Sequence, residues 1–218
     1  MPFSQRRGML SPMGLPAEKL HHRATFADYA AVPETKDAAL IDGVLHVMPK
    51  PAPAHVSVAS GLGADLSGAF RRGRGGPGGW HILDEPELHF GPAHDEDIVA
   101  PDIAGWRIER MPVLPRKAYF TLAPDWVCEV LSPSTEKVDR IDKMPIYARE
   151  RVKHVWLVHP IRQTIEVFAL NADGFWLLIG THAGNCRVRM PPFDAIELDL
   201  GELWPVLEDG AADEDEAG

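Results

Sequence analysis

Short apolar runs, separated by turn-forming residues, dominate the first third of the chain. Two such runs flank Asp42-Gly43 within Ala39–Met48, and an Asp-Gly pair between apolar runs is a strong hairpin signal. Thr25 precedes helix-compatible residues up to Tyr29, which predicts a short capped helix. Between His55 and Phe70 apolar residues recur at helical spacing, so we expect a long helix there.

The middle and end of the chain favour strands, with one further helix. The breaker Ser132–Thr135 precedes a predicted helix that carries Lys143 and Tyr147. Ile196–Leu200 and Leu203-Trp204 close the fold. Runs of β-branched and aromatic residues bounded by Pro, Gly and Asp predict strands in Trp80–Leu83, Glu87–Phe90, Ile98–Ala100 leading into Pro101–Trp106, Trp126–Leu131, Arg151–Val158, Thr164–Leu170 and Phe175–Ile179.

Length and composition predict a single domain. A chain of 218 residues, 45% hydrophobic, can bury one substantial core. We expect a flexible leader at 1–22, the folded domain at 23–207 and a disordered acidic tail at 208–218. No apolar run is long enough for a membrane span, and no secretory signal is recognisable. Cys128 and Cys186 form no disulfide framework, which fits a reducing cytoplasm.

The charge of the chain limits its partners. A net charge of −10 argues against a protein that coats nucleic acid non-specifically. One flexible basic loop, beginning at Arg71-Arg72 and including Arg74, is an exception. Its arginines either contact nucleic-acid phosphates or lie on a solvated turn, and the sequence favours neither alternative.

Two carboxylates, Asp102 and Glu129, carry the chemistry predicted for the chain. Each lies at the edge of a short apolar run, where burial of a charge is costly unless it is paired or holds a cation. On neighbouring strands they would form an oxygen-rich pocket suited to Mg²⁺ or Mn²⁺. The alternative is that both merely end strands and face water, which we consider less consistent with the pair than with either residue alone.

Lys143 is the third candidate. Phosphodiester cleavage needs a metal to activate water, and it benefits from a cation that neutralises charge developing at phosphorus. Asp139 lies four residues earlier, on the same face of a helix, and would hold the ammonium group in place. The alternative is an ordinary surface ion pair.

One set of motifs includes Leu40-Ile41-Asp42-Gly43, Pro101-Asp102 and Glu129–Thr135, followed by Asp139 and Lys143. This set resembles the Uma-two restriction-endonuclease family of the PD-(D/E)XK nuclease superfamily. The resemblance runs from about Phe26 to Trp204. It implies an α/β (α+β) restriction-endonuclease-like fold, a mixed central sheet flanked by helices, with extra N- and C-terminal hairpins. It also implies divalent-metal ligation by the Asp102 and Glu129 carboxylates and the Val130 backbone carbonyl.

The superfamily lysine is expected two residues after the glutamate, where this chain has Leu131, so the resemblance assigns the role to Lys143 from the next helix. His55 matches a family position and would either reach the site or cap its helix. Glu87 is a secondary catalytic candidate, with surface exposure as the alternative. Pro145 departs from the family pattern and predicts that the helix begins near Asp142 or kinks there.

Two further departures are Ala39, where family members often carry Glu, and Arg151, where a helix-ending Gly is usual.

The leading interpretation is a cytoplasmic, Mg²⁺-dependent or Mn²⁺-dependent endonuclease that acts on DNA. The alternatives are a catalytically silent binding or assembly module of nuclease fold and a metal-dependent hydrolase of RNA or small phosphoesters. The C-terminal hairpin would permit a homodimer, which the sequence does not itself show.

Overall fold

The structure is a computed structural model that describes residues 23–92 and 96–207. The predicted leader at 1–22 and tail at 208–218 lie outside the described residues. The strands are β1 (Lys36–Ile41), β2 (Val44–Pro49), β3 (Trp80–Asp84), β4 (Leu88–Phe90), β5 (Asp97–Val99), β6 (Ile103–Arg107), β7 (Trp126–Val130), β8 (His154–His159), β9 (Thr164–Leu170), β10 (Trp176–Ala183), β11 (Arg187–Val188) and β12 (Leu198–Asp199).

A six-stranded sheet forms the centre of the fold, in the order β10-β9-β8-β7-β6-β3. The pair β7–β8 is parallel, and the other neighbouring pairs are antiparallel. The crossover between β7 and β8 contains a helix, as parallel neighbours require. The mixed central sheet expected from the sequence is therefore confirmed.

A second sheet of four strands, in the order β2-β1-β5-β4, packs beside the first. Asp42 and Gly43 both have positive φ, 48° and 76°, as a two-residue hairpin turn between β1 and β2 requires. The predicted N-terminal hairpin is thus correct, although it belongs to a larger sheet. The β9–β10 hairpin is not a separate addition, since it forms one edge of the central sheet.

The helices are α1 (Phe26–Ala30), α2 (Pro53–Leu66) and α3 (Met144–Arg149), with π-helical turns at Ser67–Arg71 and Val138–Lys143 and a 3-10 turn at Leu200–Glu202. Thr25 and Asp28 form a capping box at the start of α1. Helix α2 buries Val58, Leu62 and Leu66 in the core cluster on one face of the central sheet. Within the described residues, no helix is long and apolar enough to cross a membrane.

The helical segment that carries Lys143 begins at residue 136 and continues to 149. Its regular α-helix, α3, begins at Met144 with Pro145 in the first turn, so the irregularity that Pro145 predicts near Asp142 is present, and the π-helical turn Val138–Lys143 extends the helical segment upstream of it. The turn before Pro145 widens into the π-helical conformation, which relieves the clash between the proline ring and the carbonyl group four residues earlier. From this segment the side chain of Lys143 reaches Glu129 on β7 of the central sheet.

Candidate active site

Strand register brings the two candidate carboxylates together. In the antiparallel pair β6–β7, Ile103 lies opposite Cys128 and Ala104 opposite Val127. One further step of the same register places Asp102 opposite Glu129. Side chains directly opposite each other have Cβ atoms about 4.5–5.5 Å apart, so the two carboxyl groups share one site at the end of the ladder.

Asp102 is held by a backbone group and by an imidazole. The Val130 backbone N–H donates to Asp102 Oδ2 at 2.6 Å. His55 Nε2 lies 3.1 Å from Asp102 Oδ1. His55 is the third residue of α2, so the start of this helix aims its ring at the carboxylate. The carbonyl of Val130, predicted as a metal ligand, stays a prediction.

The imidazole of His55 is buried, and its second nitrogen, Nδ1, has no hydrogen-bond partner among the described residues. Burial acts to lower the pKa of His55. The hydrogen bond and the negative charge of Asp102 oppose burial, and the pKa is raised overall. His55 therefore interacts with the site through Nε2 alone.

Glu129 is almost fully buried and receives two side chains from the helix that follows it. Its carboxylate lies 3.1 Å from Lys143 Nζ through Oε2, and Oε1 accepts a hydrogen bond from the Tyr147 hydroxyl at 2.5 Å. The Lys143 ammonium group also lies 2.7 Å from Asp139 Oδ1, in an ion pair that lacks hydrogen-bond alignment. Lys143 and Tyr147 thus contact Glu129 directly, and Asp139 contacts Lys143.

The electrostatics of this cluster follow from its burial. Burial raises the pKa of Glu129 to about 8, although Lys143 and Tyr147 act in the opposite direction. Burial acts to lower the pKa of Lys143, but the charges of Glu129 and Asp139 outweigh it and raise the pKa. The lysine is thereby kept as an ammonium group, suited to charge neutralisation and not to proton abstraction.

These groups lie at the floor of a cleft of about 900 Å³. One wall comes from α1 and the β1–β2 hairpin, and the other comes from the Ser132–Thr135 turn. Glu85 also lines the cleft; its φ is +45°, and its backbone N–H donates to the Asp102 carbonyl at 2.9 Å. A non-glycine residue in this conformation is uncommon, and no sequence signal marked Glu85 as a neighbour of Asp102.

The secondary candidates lie farther from the carboxylate pair. Glu87 lines the same cleft, but its carboxylate accepts from Tyr29 at 2.8 Å and lies 2.6 Å from His89 Nε2. The arginine loop follows the C-terminal end of α2, whereas His55 lies near the N-terminal end of this helix. At about 1.5 Å per residue, the 16 residues between His55 and Arg71 span on the order of 20 Å, so Arg71, Arg72 and Arg74 do not line this cleft.

The donor set fits a hard divalent cation. Among the described residues no three His, Cys, Asp or Glu side chains form a ready-made metal cage. Mg²⁺ does not need one, since it is commonly held by one or two carboxylates, with water and substrate phosphate completing the shell. Each oxygen of Asp102 and Glu129 retains a lone pair beside its present partner. A cation would also favour the ionised form of Glu129.

From the sequence, Tyr147 is expected only as a residue of the helix that carries Lys143, with no role in the site. Its spacing from Lys143 is four residues, and such a pair lies on one face of a helix. That spacing, applied to Asp139, Lys143 and Tyr147 together, is the signal that would have identified the hydroxyl donor to Glu129.

Comparisons with known proteins identify the family and the fold of the chain. The family described as "Uma2: Putative restriction endonuclease" matches residues 24–201. A crystal structure from Anabaena variabilis, described as a "putative nuclease belonging to DUF820", is similar with a TM-score of 0.64 and 22% sequence identity, covering 83% of this chain and 97% of that chain. No curated protein matches the sequence. Because the family match extends over most of the chain, this protein belongs to the Uma2 family, with a restriction-endonuclease-like fold.

Proposed function

We propose that this protein is a divalent-metal-dependent endonuclease that hydrolyses phosphodiester bonds of DNA. The observation that carries the proposal is the register of β6 and β7, which sets Asp102 opposite Glu129, with Lys143 Nζ 3.1 Å from the glutamate. Two carboxylates and an ammonium group at the floor of a cleft are the groups that this reaction needs. Membership of a nuclease family supports the same reaction class.

Each residue has a defined part in the proposal. Asp102 and Glu129 would hold Mg²⁺ or Mn²⁺, and the bound ion would supply Lewis-acid polarisation of the phosphoryl group and activation of water. Lys143 neutralises negative charge that develops on the phosphate oxygens. His55 fixes the orientation of Asp102, and Tyr147 fixes that of Glu129.

Cleavage assays with isosteric variants test this function. Wild-type protein should cut DNA in the presence of Mg²⁺ or Mn²⁺ but not in EDTA, and Asp102→Asn and Glu129→Gln should each abolish cleavage. Glu109→Gln removes the same charge from an exposed position outside the cleft and should keep the wild-type rate. Cleavage that survives both active-site substitutions would refute the assignment.

A catalytically silent binding module is the second candidate, and one observation favours it. The Lys143 ammonium group already contacts both Glu129 and Asp139, so these buried carboxylates have a cationic partner within the chain itself. A titration that detects no binding of millimolar Mg²⁺ or Mn²⁺ supports this candidate. Cleavage of RNA or of small phosphoesters, with DNA left intact, would instead indicate a hydrolase of different substrate range.

Strand β10 supports a further proposal, that two copies of the chain form a homodimer. This strand is an edge of the central sheet, and Leu177, Leu178 and Ile179 on it are about half exposed. Sedimentation analysis would distinguish a dimer from a monomer. We also propose a cytoplasmic location, because Cys128 and Cys186 are both free thiols, which fits a reducing compartment.

A further inference from the structure

The reactive groups of the cleft are accessible only to a molecule that enters it. Glu129 is 1% exposed, Asp139 2% and Lys143 6%. A phosphate whose developing charge Lys143 neutralises must approach these buried side chains directly. The scissile phosphate must therefore reach the floor of the cleft, below the walls formed by α1, the β1–β2 hairpin and the Ser132–Thr135 turn.

The charge of the cleft opposes a substrate with many closely spaced phosphates. Seven carboxylates line it, against three ammonium groups. Lys143 is paired with Glu129 and Asp139, and Lys50 with Asp37. Duplex DNA carries one charge per ~1.7 Å of its axis, so a duplex laid along these walls would meet mostly negative side chains.

Lys36 is the remaining cation of the cleft. It is exposed on β1, and it has no carboxylate partner among the described residues. Because the Arg71–Arg74 loop does not line the cleft, Lys36 is, within 23–92 and 96–207, the one wall residue available there as a cationic phosphate contact. The cleft therefore allows one or two phosphate contacts.

The walls offer surfaces that suit unpaired bases. Tyr29 lines the cleft, and its hydroxyl group is fixed by the hydrogen bond to Glu87, which holds the ring in place. Met48 and Pro49 add apolar surface on the same wall. Stacking on an aromatic ring needs a base whose face is exposed, and this is a property of single strands.

We propose that the cleft takes an unpaired nucleic-acid strand, bound through Lys36 and the ring of Tyr29, in preference to an intact duplex. The inference rests on the proposed nuclease function and names the substrate class of the same site. An unpaired strand bends freely to bring one phosphate to the floor, whereas a duplex pays a deformation cost to do so.

Cleavage of matched substrates tests the proposal. Wild-type protein with Mn²⁺ should cut a single-stranded oligonucleotide, or the flap of a flapped duplex, at least about tenfold faster than the intact duplex of the same sequence. Equal rates on single strand and duplex would overturn the inference while leaving the nuclease assignment in place. If neither is cut, the nuclease assignment fails, and equilibrium binding of the same oligonucleotides decides the inference: preference for the single strand supports it, and equal or absent binding overturns it.

Salt dependence of binding gives a second, independent readout. With one or two phosphate contacts to a single strand, log K should fall against log salt with a slope of about −0.7 to −1.4. Lys36→Ala should reduce the magnitude of this slope by about 0.7. Lys153→Ala removes the same charge from an exposed position before β8, outside the cleft, and should leave the slope unchanged. A slope of −4 or steeper, or equal effects of the two substitutions, would contradict the proposed contact.

Discussion

Asp102 and Glu129 face one site from neighbouring strands, and the chain holds them by different means. Asp102 keeps 16% of its side chain exposed and is bound by a backbone N–H and an imidazole. Glu129 is 1% exposed and is bound by an ammonium group and a hydroxyl group that both come from the following helix. The first carboxylate therefore depends on the sheet and α2, and the second depends on the 136–149 segment.

This difference indicates separate roles for the two halves of the site. Water can replace a lost partner of Asp102, because its side chain is partly exposed. No such replacement is available at Glu129, where a lost partner leaves a buried polar group unsatisfied. We therefore expect substitutions around Glu129 to lower stability and activity together, and those around Asp102 to affect mainly activity.

Lys143→Met should produce the largest effect. Removing the cation leaves Glu129 and Asp139 buried without their partner, and breaking such a buried pair costs about 3–5 kcal/mol in free energy of unfolding. Urea denaturation followed by tryptophan fluorescence would measure the loss. Combining the substitution with Glu129→Gln should restore part of the stability, because one unpaired charge is then removed. A stability within 1 kcal/mol of wild type would show that Lys143 does not support the buried carboxylates.

Tyr147→Phe should have an intermediate effect. It removes the hydroxyl that donates to Glu129 and keeps the ring, which is fully buried. Leaving a buried polar atom without its partner costs about 1–3 kcal/mol, and the free energy of unfolding should fall by that amount. Loss of the hydroxyl should also raise the pKa of Glu129 further, since the bond acts to lower it. Unchanged stability would mean that the hydrogen bond contributes nothing to the folded state.

His55→Leu should have the smallest effect on stability, about 1 kcal/mol or less. The Val130 N–H stays on Asp102, water can reach the other oxygen, and the buried Nδ1 without a partner is removed. Activity should nevertheless fall, because Asp102 loses the group that fixes one of its oxygens. Parallel denaturation and cleavage assays would separate the two effects. A loss of stability as large as that of Tyr147→Phe would contradict the contrast between the two carboxylates.

Much of the fold follows from local sequence signals. Asp42-Gly43 specifies its hairpin because both residues tolerate positive φ, and Thr25 with Asp28 specifies the start of α1. Pro145 correctly indicated an irregularity near Asp142, since α3 begins at Met144 with the proline in its first turn, but it gave no sign that a π-helical turn extends the helical segment upstream. A π-helical turn accommodates the ring, and this choice depends on packing that the sequence does not display.

The sequence named Asp102, Glu129 and Lys143, which the structure brings together in one cleft, but it did not show how they contact one another. Apolar runs with a single carboxylate pointed to Asp102 and Glu129, and the four-residue spacing pointed to Asp139 and Lys143. Register is a tertiary property, so the sequence could not show that Asp102 lies opposite Glu129. The arginine loop shows the converse: Arg71, Arg72 and Arg74 suggested phosphate contacts by composition, yet the length of α2 carries them away from the cleft.

Calorimetric titration of the protein with Mn²⁺ tests most directly whether Asp102 and Glu129 hold one ion. We predict that the wild-type protein and Glu109→Gln bind a single Mn²⁺ ion with similar affinity, and that Asp102→Asn and Glu129→Gln each abolish the binding isotherm. Binding that persists in both active-site variants, or that is absent from the wild-type protein at millimolar Mn²⁺, would contradict the account.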